Sequence, residues 1–159
     1  MVKIFVVSDT HGNIDEFIHF VKPLGKPDLI IHLGDYIEDS FAIEESLSVK
    51  TIKVKGNCDF FQKGIEEEIV LDIEGKKIFA THGHNYDVKM GILNIFYKAK
   101  KEKIDLVLYG HTHKPSIVSE EGITLLNPGS PSIPRGLNKK TFAIIDIGKK
   151  IDSKIIEIN

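Results

Sequence analysis

Val2-Lys3-Ile4-Phe5-Val6-Val7-Ser8-Asp9-Thr10-His11 begins as an almost unbroken apolar run and ends in two side chains able to ligate a metal. A short β-branched and aromatic run without polar alternation predicts a strand buried on both faces, as in parallel sheets. The spacing that follows predicts a helix over Asn13–Val21, with Ile14, Phe17, Ile18 and Val21 on one face, Asn13 as its cap and Pro23 as its stop. Leu29–Leu33 reads as a second strand, Phe41–Leu47 as a short helix and Thr51–Val54 as a third strand. This β-α-β-α-β order implies a largely parallel sheet with helices on at least one face.

The second half is richer in strands. Glu67–Ile73 and Lys77–Thr81 flank Glu74-Gly75-Lys76, a hairpin turn, and a longer helix is predicted from about Val88 to Lys103, with Ile92, Ile95, Phe96 and Ala99 as its apolar face. Strands follow at Leu106–Tyr109, Ile117–Val118, Ile123–Leu126, Phe142–Ile147 and Ile155–Ile158, with a second hairpin signal at Gly148-Lys149-Lys150. Two sheets packed between helices are the economical arrangement. With no repeat, low-complexity tract or linker, residues 1–159 read as one domain.

The metal-capable residues sit where apolar strands end. Asp9 and His11 follow Val6-Val7, Gly34-Asp35 follows Ile30-Ile31, and Gly56-Asn57-Cys58-Asp59 follows Val54. His82-Gly83-His84 follows Phe79-Ala80, and Gly110-His111-Thr112-His113 follows Leu108-Tyr109. In open α/β sheets ligands bind beyond the carboxyl ends of the strands, so parallel neighbours would deliver these side chains to one place. Imidazole suits Zn, Fe, Ni and Cu, whereas carboxylate oxygen suits Mn and Mg. A mixed set points to Mn, Ni, Fe, Zn or Co. Asp9, His11, Asp35, Asn57, His82, His111 and His113 are more donors than one ion needs, but they suit two ions sharing a carboxylate. Two cations roughly 3.5–4 Å apart stabilise both attacking and leaving oxygens of an in-line displacement at phosphorus. Their charge exceeds that of the two ligand carboxylates, which favours an anionic guest. Taken singly, each of these residues would be read as a cap or turn former at a strand end.

Bulk properties exclude other classes. Hydrophobic residues make up 42% and charged residues 28% of the chain, ordinary globular values. A formal net charge of -2 and a pI near 6.4 show no basic excess of the kind nucleic acids or anionic membranes attract. Ile4–Val7 is too short for a signal-peptide core, no run approaches a membrane span, and Cys58 is the only cysteine, so the expectation is a cytoplasmic protein.

The ordered motifs Asp9-x-His11, Gly34-Asp35, Gly56-Asn57, His82 and Gly110-His111-x-His113 resemble those of the calcineurin-like metallophosphoesterase superfamily. Gly56-Asn57-Cys58-Asp59, Thr81-His82-Gly83-His84 and Asn127-Pro128-Gly129-Ser130 are similar to its small bacterial and archaeal branch, the YfcE-type phosphodiesterases. The resemblance implies a four-layer α/β/β/α sandwich of two mixed sheets and a two-metal site at one edge. It implies Asp9, His11, Asp35 and His113 around one ion, and Asp35, Asn57, His82 and His111 around the other, with a hydroxide shared between them as nucleophile. It further implies a metal-dependent phosphodiesterase or phosphatase for a small phosphorylated substrate, loaded with Mn²⁺ or Ni²⁺, assembled as a homodimer or homotetramer. A non-catalytic scaffold is the alternative, since the phosphoesterase-like retromer subunit uses this fold for protein binding. Intact ligands argue for the enzyme.

Other residues carry weaker signals. Many relatives place His directly after the ligand Asn to protonate the leaving group; here that position is Cys58, so Cys58 and Asp59 are the catalytic candidates. His84 and Arg135 are the candidates for gripping phosphate; Arg135 is the only arginine and otherwise reads as a solvated loop residue. His32 lies within an apolar strand and reads as a hydrogen-bonded core histidine, and His19 as a surface one.

Overall fold

In the computed structural model, which describes residues 1–136 and 138–159, β1 (Val2–Val7) divides its side chains between two cores. Ile4 and Val6 point into the space between two sheets, whereas Phe5 and Val7 point to the outer face under helices. β2 (Leu29–His32) and β3 (Thr51–Lys53) run parallel to β1, reached through α1 (Asp15–Val21) and α2 (Glu38–Leu47). β9 (Thr141–Ile147) and β10 (Ile151–Glu157) complete this sheet in antiparallel sense, giving the order β10-β9-β1-β2-β3.

The second sheet contains β4 (Glu68–Ile73), β5 (Lys76–Thr81), β6 (Leu106–Leu108), β7 (Pro115–Glu120) and β8 (Ile123–Pro128), ordered β4-β5-β6-β8-β7. β5, β6 and β8 are parallel, and α3 (Leu93–Glu102) links β5 to β6. Ile78, Ala80, Leu106, Leu108 and Leu126 face inward against the first sheet, while Phe79, Val107 and Leu125 face α3. The layers are therefore helix, sheet, sheet, helix, as expected. Glu74 and Gly75 both have positive φ, 54° and 74°, and close β4–β5 as a two-residue hairpin, a conformation in which glycine carries no Cβ penalty.

Three expectations need correction. Asn13 does not cap α1; Ile14 occupies that position without a side-chain bond, and Asn13 instead donates its backbone N–H to Thr10 O at 3.1 Å. α2 begins at Glu38 rather than Phe41, its first turn carrying Glu38 and Asp39, which favour the positive end of the helix dipole. α3 begins at Leu93 rather than Val88, because Asp87 (φ 51°) and Gly91 (φ 147°) break the backbone before it. No helix among the described residues is long and apolar enough to cross a membrane.

Candidate metal centre

β1, β2 and β3 in one sheet and β5 and β6 in the other end at the same edge of the sandwich, and their loops meet there. The two sheets touch directly: His82, after β5, lies against Leu33 O, and His111 N–H, after β6, donates to Asp9 Oδ2 at 3.0 Å. Glycine makes the approach possible. A Cβ on Gly110 would collide with Ser8 Oγ and stand 2.8 Å from Asp9 Oδ2; one on Gly56 would collide with Asp35 Oδ1. Asp9, His11, Asp35, His111 and His113 all adopt left-handed backbone, with φ of 57°, 48°, 57°, 69° and 58°. For residues other than glycine that conformation costs ~1–3 kcal/mol each and persists only where surrounding contacts enforce it.

Asp9, His11, Asp35 and His113 each offer a ligand atom, all within 4.8 Å of one another, and could hold a metal ion. His82 Nε2 lies 3.5 Å from Asp35 Oδ1 and 3.8 Å from Asp9 Oδ1, and His111 Nδ1 faces His82 Nε2 at 3.1 Å. Six of the seven expected ligands are thus gathered around the paired carboxylates of Asp9 and Asp35. Asn57 sits on the loop beside them but is exposed, its amide turned to Cys58 Sγ at 3.8 Å.

Hydrogen bonds at Nδ1 fix which ring atom two of the histidines present to the cluster. His82 Nδ1 is 2.7 Å from Leu33 O and His113 Nδ1 is 2.7 Å from Ile133 O. A carbonyl only accepts, so both Nδ1 atoms carry hydrogen, and each ring presents its Nε2 to the carboxylates. His113 Nε2 stands 3.2 Å from Asp9 Oδ1, and His11 Nε2 stands 3.6 Å from Asp35 Oδ2. Asp9 Oδ1 and His11 Nε2 are buried without a hydrogen-bond partner among the described residues. Buried carboxylate oxygens and imidazole nitrogens that converge on one space, some of them partnerless, are satisfied by a cation, so the donor set fits metal. The charges agree. Burial alone would raise the Asp9 pKa, but contact with His113 and the charge of His82 hold it below the usual carboxylate value. Burial works against protonation of His113, yet Asp9 outweighs it and raises the pKa. Burial, then His82 and Lys89, push His111 down to about 4.

Around the ligands lies a scaffold of satisfied polar groups. Asp59, expected to be catalytic, accepts four backbone N–H bonds: from Asp35 and Gly56 on Oδ2 (2.7 and 2.8 Å), and from Tyr36 and Ile37 on Oδ1 (2.8 and 2.9 Å). Its acceptors are committed to these N–H groups, so it positions the loop that carries Asp35. Cys58 is exposed, and its N–H donates to Asp35 Oδ1 at 3.0 Å; burial, then the Asp35 carboxylate, push its thiol up to about 11. His32 accepts from Gly34 N–H at Nδ1 (3.2 Å), which leaves Nε2–H to donate to Thr10 Oγ1 (3.0 Å); burial pushes its pKa down to about 4. It is a neutral core histidine, as its strand context implied.

Other contributors carried little or no sequence signal. Ser8 Oγ donates to Asp9 Oδ2 at 2.6 Å, and Ser130 Oγ and Ser132 Oγ donate to Asp9 O and Thr10 O at 2.8 and 2.6 Å. Asn127 Nδ2 donates to Gly110 O at 2.9 Å, so the Asn127-Pro128-Gly129-Ser130 turn ties the loop after β6 to the loop after β1. His84 stands at the rim, its ring 5.5 Å from that of His82, with Nδ1 buried and partnerless. Arg135 is exposed, and its backbone N–H donates to His113 O at 3.0 Å.

Comparison with known proteins agrees with this geometry. The chain is 32% identical over 148 residues to the Bacillus subtilis protein named probable metallophosphoesterase YsnB, covering 92% of this chain and 85% of that one. It is 30% identical over 172 residues to the phosphodiesterase YfcE of Escherichia coli K12, covering 92% of this chain and 88% of the relative. The crystal structure of a predicted phosphoesterase from Streptococcus pneumoniae TIGR4 superposes with a TM-score of 0.79 at 32% identity, over 98% of this chain and 97% of that one. A model of the calcineurin-like phosphoesterase superfamily domain matches residues 2–150, and the chain belongs to that family.

Proposed function

We propose that this protein is a metal-dependent phosphodiesterase acting on a small phosphorylated molecule at a two-metal site. The observation that carries the reading is the set of converging ligand atoms: Asp9, His11, Asp35 and His113 within 4.8 Å of one another, with Asp9 Oδ1 and His11 Nε2 partnerless among the described residues. These four would hold one cation, and Asp35, Asn57, His82 and His111 the other, with Asp35 shared. Mn²⁺ or Ni²⁺ suits this mixture of imidazole and carboxylate best, with Fe, Zn or Co as substitutes. Two such ions would polarise the phosphoryl oxygens and acidify a water for in-line attack at phosphorus.

The chain's own residues supply the rest. Asp59 holds the backbone around Asp35, Ser8 orients Asp9, and the carbonyls of Leu33 and Ile133 fix which nitrogen His82 and His113 present. His84 flanks the ligands, where a phosphate oxygen would meet its imidazole, and Arg135, exposed just beyond His113, would offer a guanidinium to a phosphate of the substrate. Cys58 stands where a general acid would be wanted, and a protonated thiol is a poor acid at neutral pH, so substrates with good leaving groups are favoured. The complete ligand set argues against a purely protein-binding role for the fold.

Hydrolysis of bis-p-nitrophenyl phosphate with Mn²⁺ or Ni²⁺ tests this, beside Asp35→Asn. Turnover that needs metal and disappears in the variant supports the enzyme. A folded, metal-loaded wild type without turnover would refute it.

A further inference from the structure

Next to the ligand cluster lies a cleft of ≈ 490 Å³ whose walls include Lys89, Lys114 and Arg135 with Tyr109, Thr112 and Ser116. Its size suits a small-molecule subsite. Thr112 connects it to the centre, since it stands between His111 and His113 in the chain and lines the cleft. On the opposite wall Val88 packs against Gly83, where a Cβ would meet Val88 Cγ2 at 3.0 Å, and Gly83 follows His82. Arg135 is anchored through its backbone bond to His113 O at 3.0 Å. Lys114 is anchored by Thr112, whose Oγ1 accepts the Lys114 N–H at 3.1 Å. The cations therefore rest on the same short loops that place two ligands.

The charge of this cleft is uncompensated. None of its lining residues is acidic, and none of its three cations forms an ion pair among the described residues. The contrast is on the other side of Lys114 and Arg135. Those two residues also border a cleft of ≈ 320 Å³, but there Lys139 is matched by Glu157 at 2.9 Å. A chain of net charge -2 thus keeps a local excess of three positive charges beside its ligand cluster. Like charges brought together on a surface without partners are costly, and an anion relieves them.

We propose that this cleft is a subsite for a second anionic group, so that the substrate carries a further phosphate lying among Lys89, Lys114 and Arg135 while its ester reaches the ligand cluster. The substrate class is then a small molecule phosphorylated at two positions. The proposal rests on the phosphoesterase reading above for the ester end, but the anion subsite stands on its own binding.

The test uses the Mn²⁺-loaded chain and two chromogenic diesters, the p-nitrophenyl ester of thymidine 5′-phosphate with and without a 3′-phosphate. The 3′-phosphorylated ester should have the higher kcat/KM by about tenfold or more, mainly through KM, as charge-assisted contacts near solvent provide. The double variant Lys89→Ala/Lys114→Ala should collapse that ratio toward one; both side chains are exposed, so the fold is not at stake. Equal kcat/KM for the two esters in wild type, or an undiminished ratio in the variant, overturns the subsite. Absence of turnover with both esters would remove the enzymatic reading instead. Calorimetric binding of thymidine 3′,5′-bisphosphate then decides the subsite: about tenfold weaker binding by the variant sustains it, and equal affinity overturns it.

Discussion

His113 Nε2 stands 3.2 Å from Asp9 Oδ1, and with Nδ1 committed to Ile133 O it is this nitrogen that the ring presents to the carboxylate. Asp9 Oδ1 and His11 Nε2 are buried with no hydrogen-bond partner among the described residues, at a cost in stability. A cation bound only by the native state removes that cost. Each site filled at about a hundred times its Kd adds about 2.7 kcal/mol, which for a chain of this size raises Tm by roughly 5–10 °C. Calorimetry with and without Mn²⁺ checks this. EDTA should return the lower Tm, and a Tm indifferent to metal contradicts the account.

Asp59→Asn should damage the centre without removing a ligand. An amide offers one acceptor oxygen where the carboxylate offers two, and its NH₂ opposes the backbone donors. At least two of the four N–H groups lose their partner, at ~1–3 kcal/mol each. The loop carrying Asp35 loosens, and metal affinity should fall about 10–100-fold. Thermal melts and Mn²⁺ titrations measure both effects. Asp35→Asn is the contrast, since it should lose metal while melting close to the metal-free wild type.

Gly110→Ala adds a single methyl group where the two sheets touch. The new carbon would press on Ser8 Oγ and approach Asp9 Oδ2 at 2.8 Å, both buried. Overpacking of this kind costs roughly 1–3 kcal/mol, and it displaces the carboxylate that faces His113. A lowered Tm together with weaker metal binding is expected; unchanged metal affinity would show that Asp9 tolerates displacement.

Cys58 leads to a prediction about leaving groups. General-acid help contributes about 10²–10⁴-fold when a suitable group is present. Wild type should therefore lose rate steeply from p-nitrophenyl to alkyl phosphodiesters, and Cys58→His should recover part of the alkyl rate. Equal wild-type rates on both ester types would contradict this.

Much of the site was legible because buried parallel strands are written as plain apolar runs, and each such run stops at a conspicuous Asp, Asn or His. The strand Val2–Val7 and the end of β5 at Thr81 are read correctly for that reason. The positioning part Asp59 plays is not legible, because sequence does not reveal that four backbone amides converge on it. Lys89, Lys114, Ser8 and Ser132 went unnoticed because they come from separate loops with no shared spacing. The start of α3 was placed too early because Val88 does belong to the apolar core, although the backbone around it is not helical.

The central claim is that two neighbouring cations share Asp35. Crystals soaked in Mn²⁺ and measured at an energy where manganese scatters anomalously test it most directly. Two peaks roughly 3.5–4 Å apart are predicted, one among Asp9, His11, Asp35 and His113 and one among Asp35, Asn57, His82 and His111. A single peak, or none, at these residues under saturating metal would contradict it.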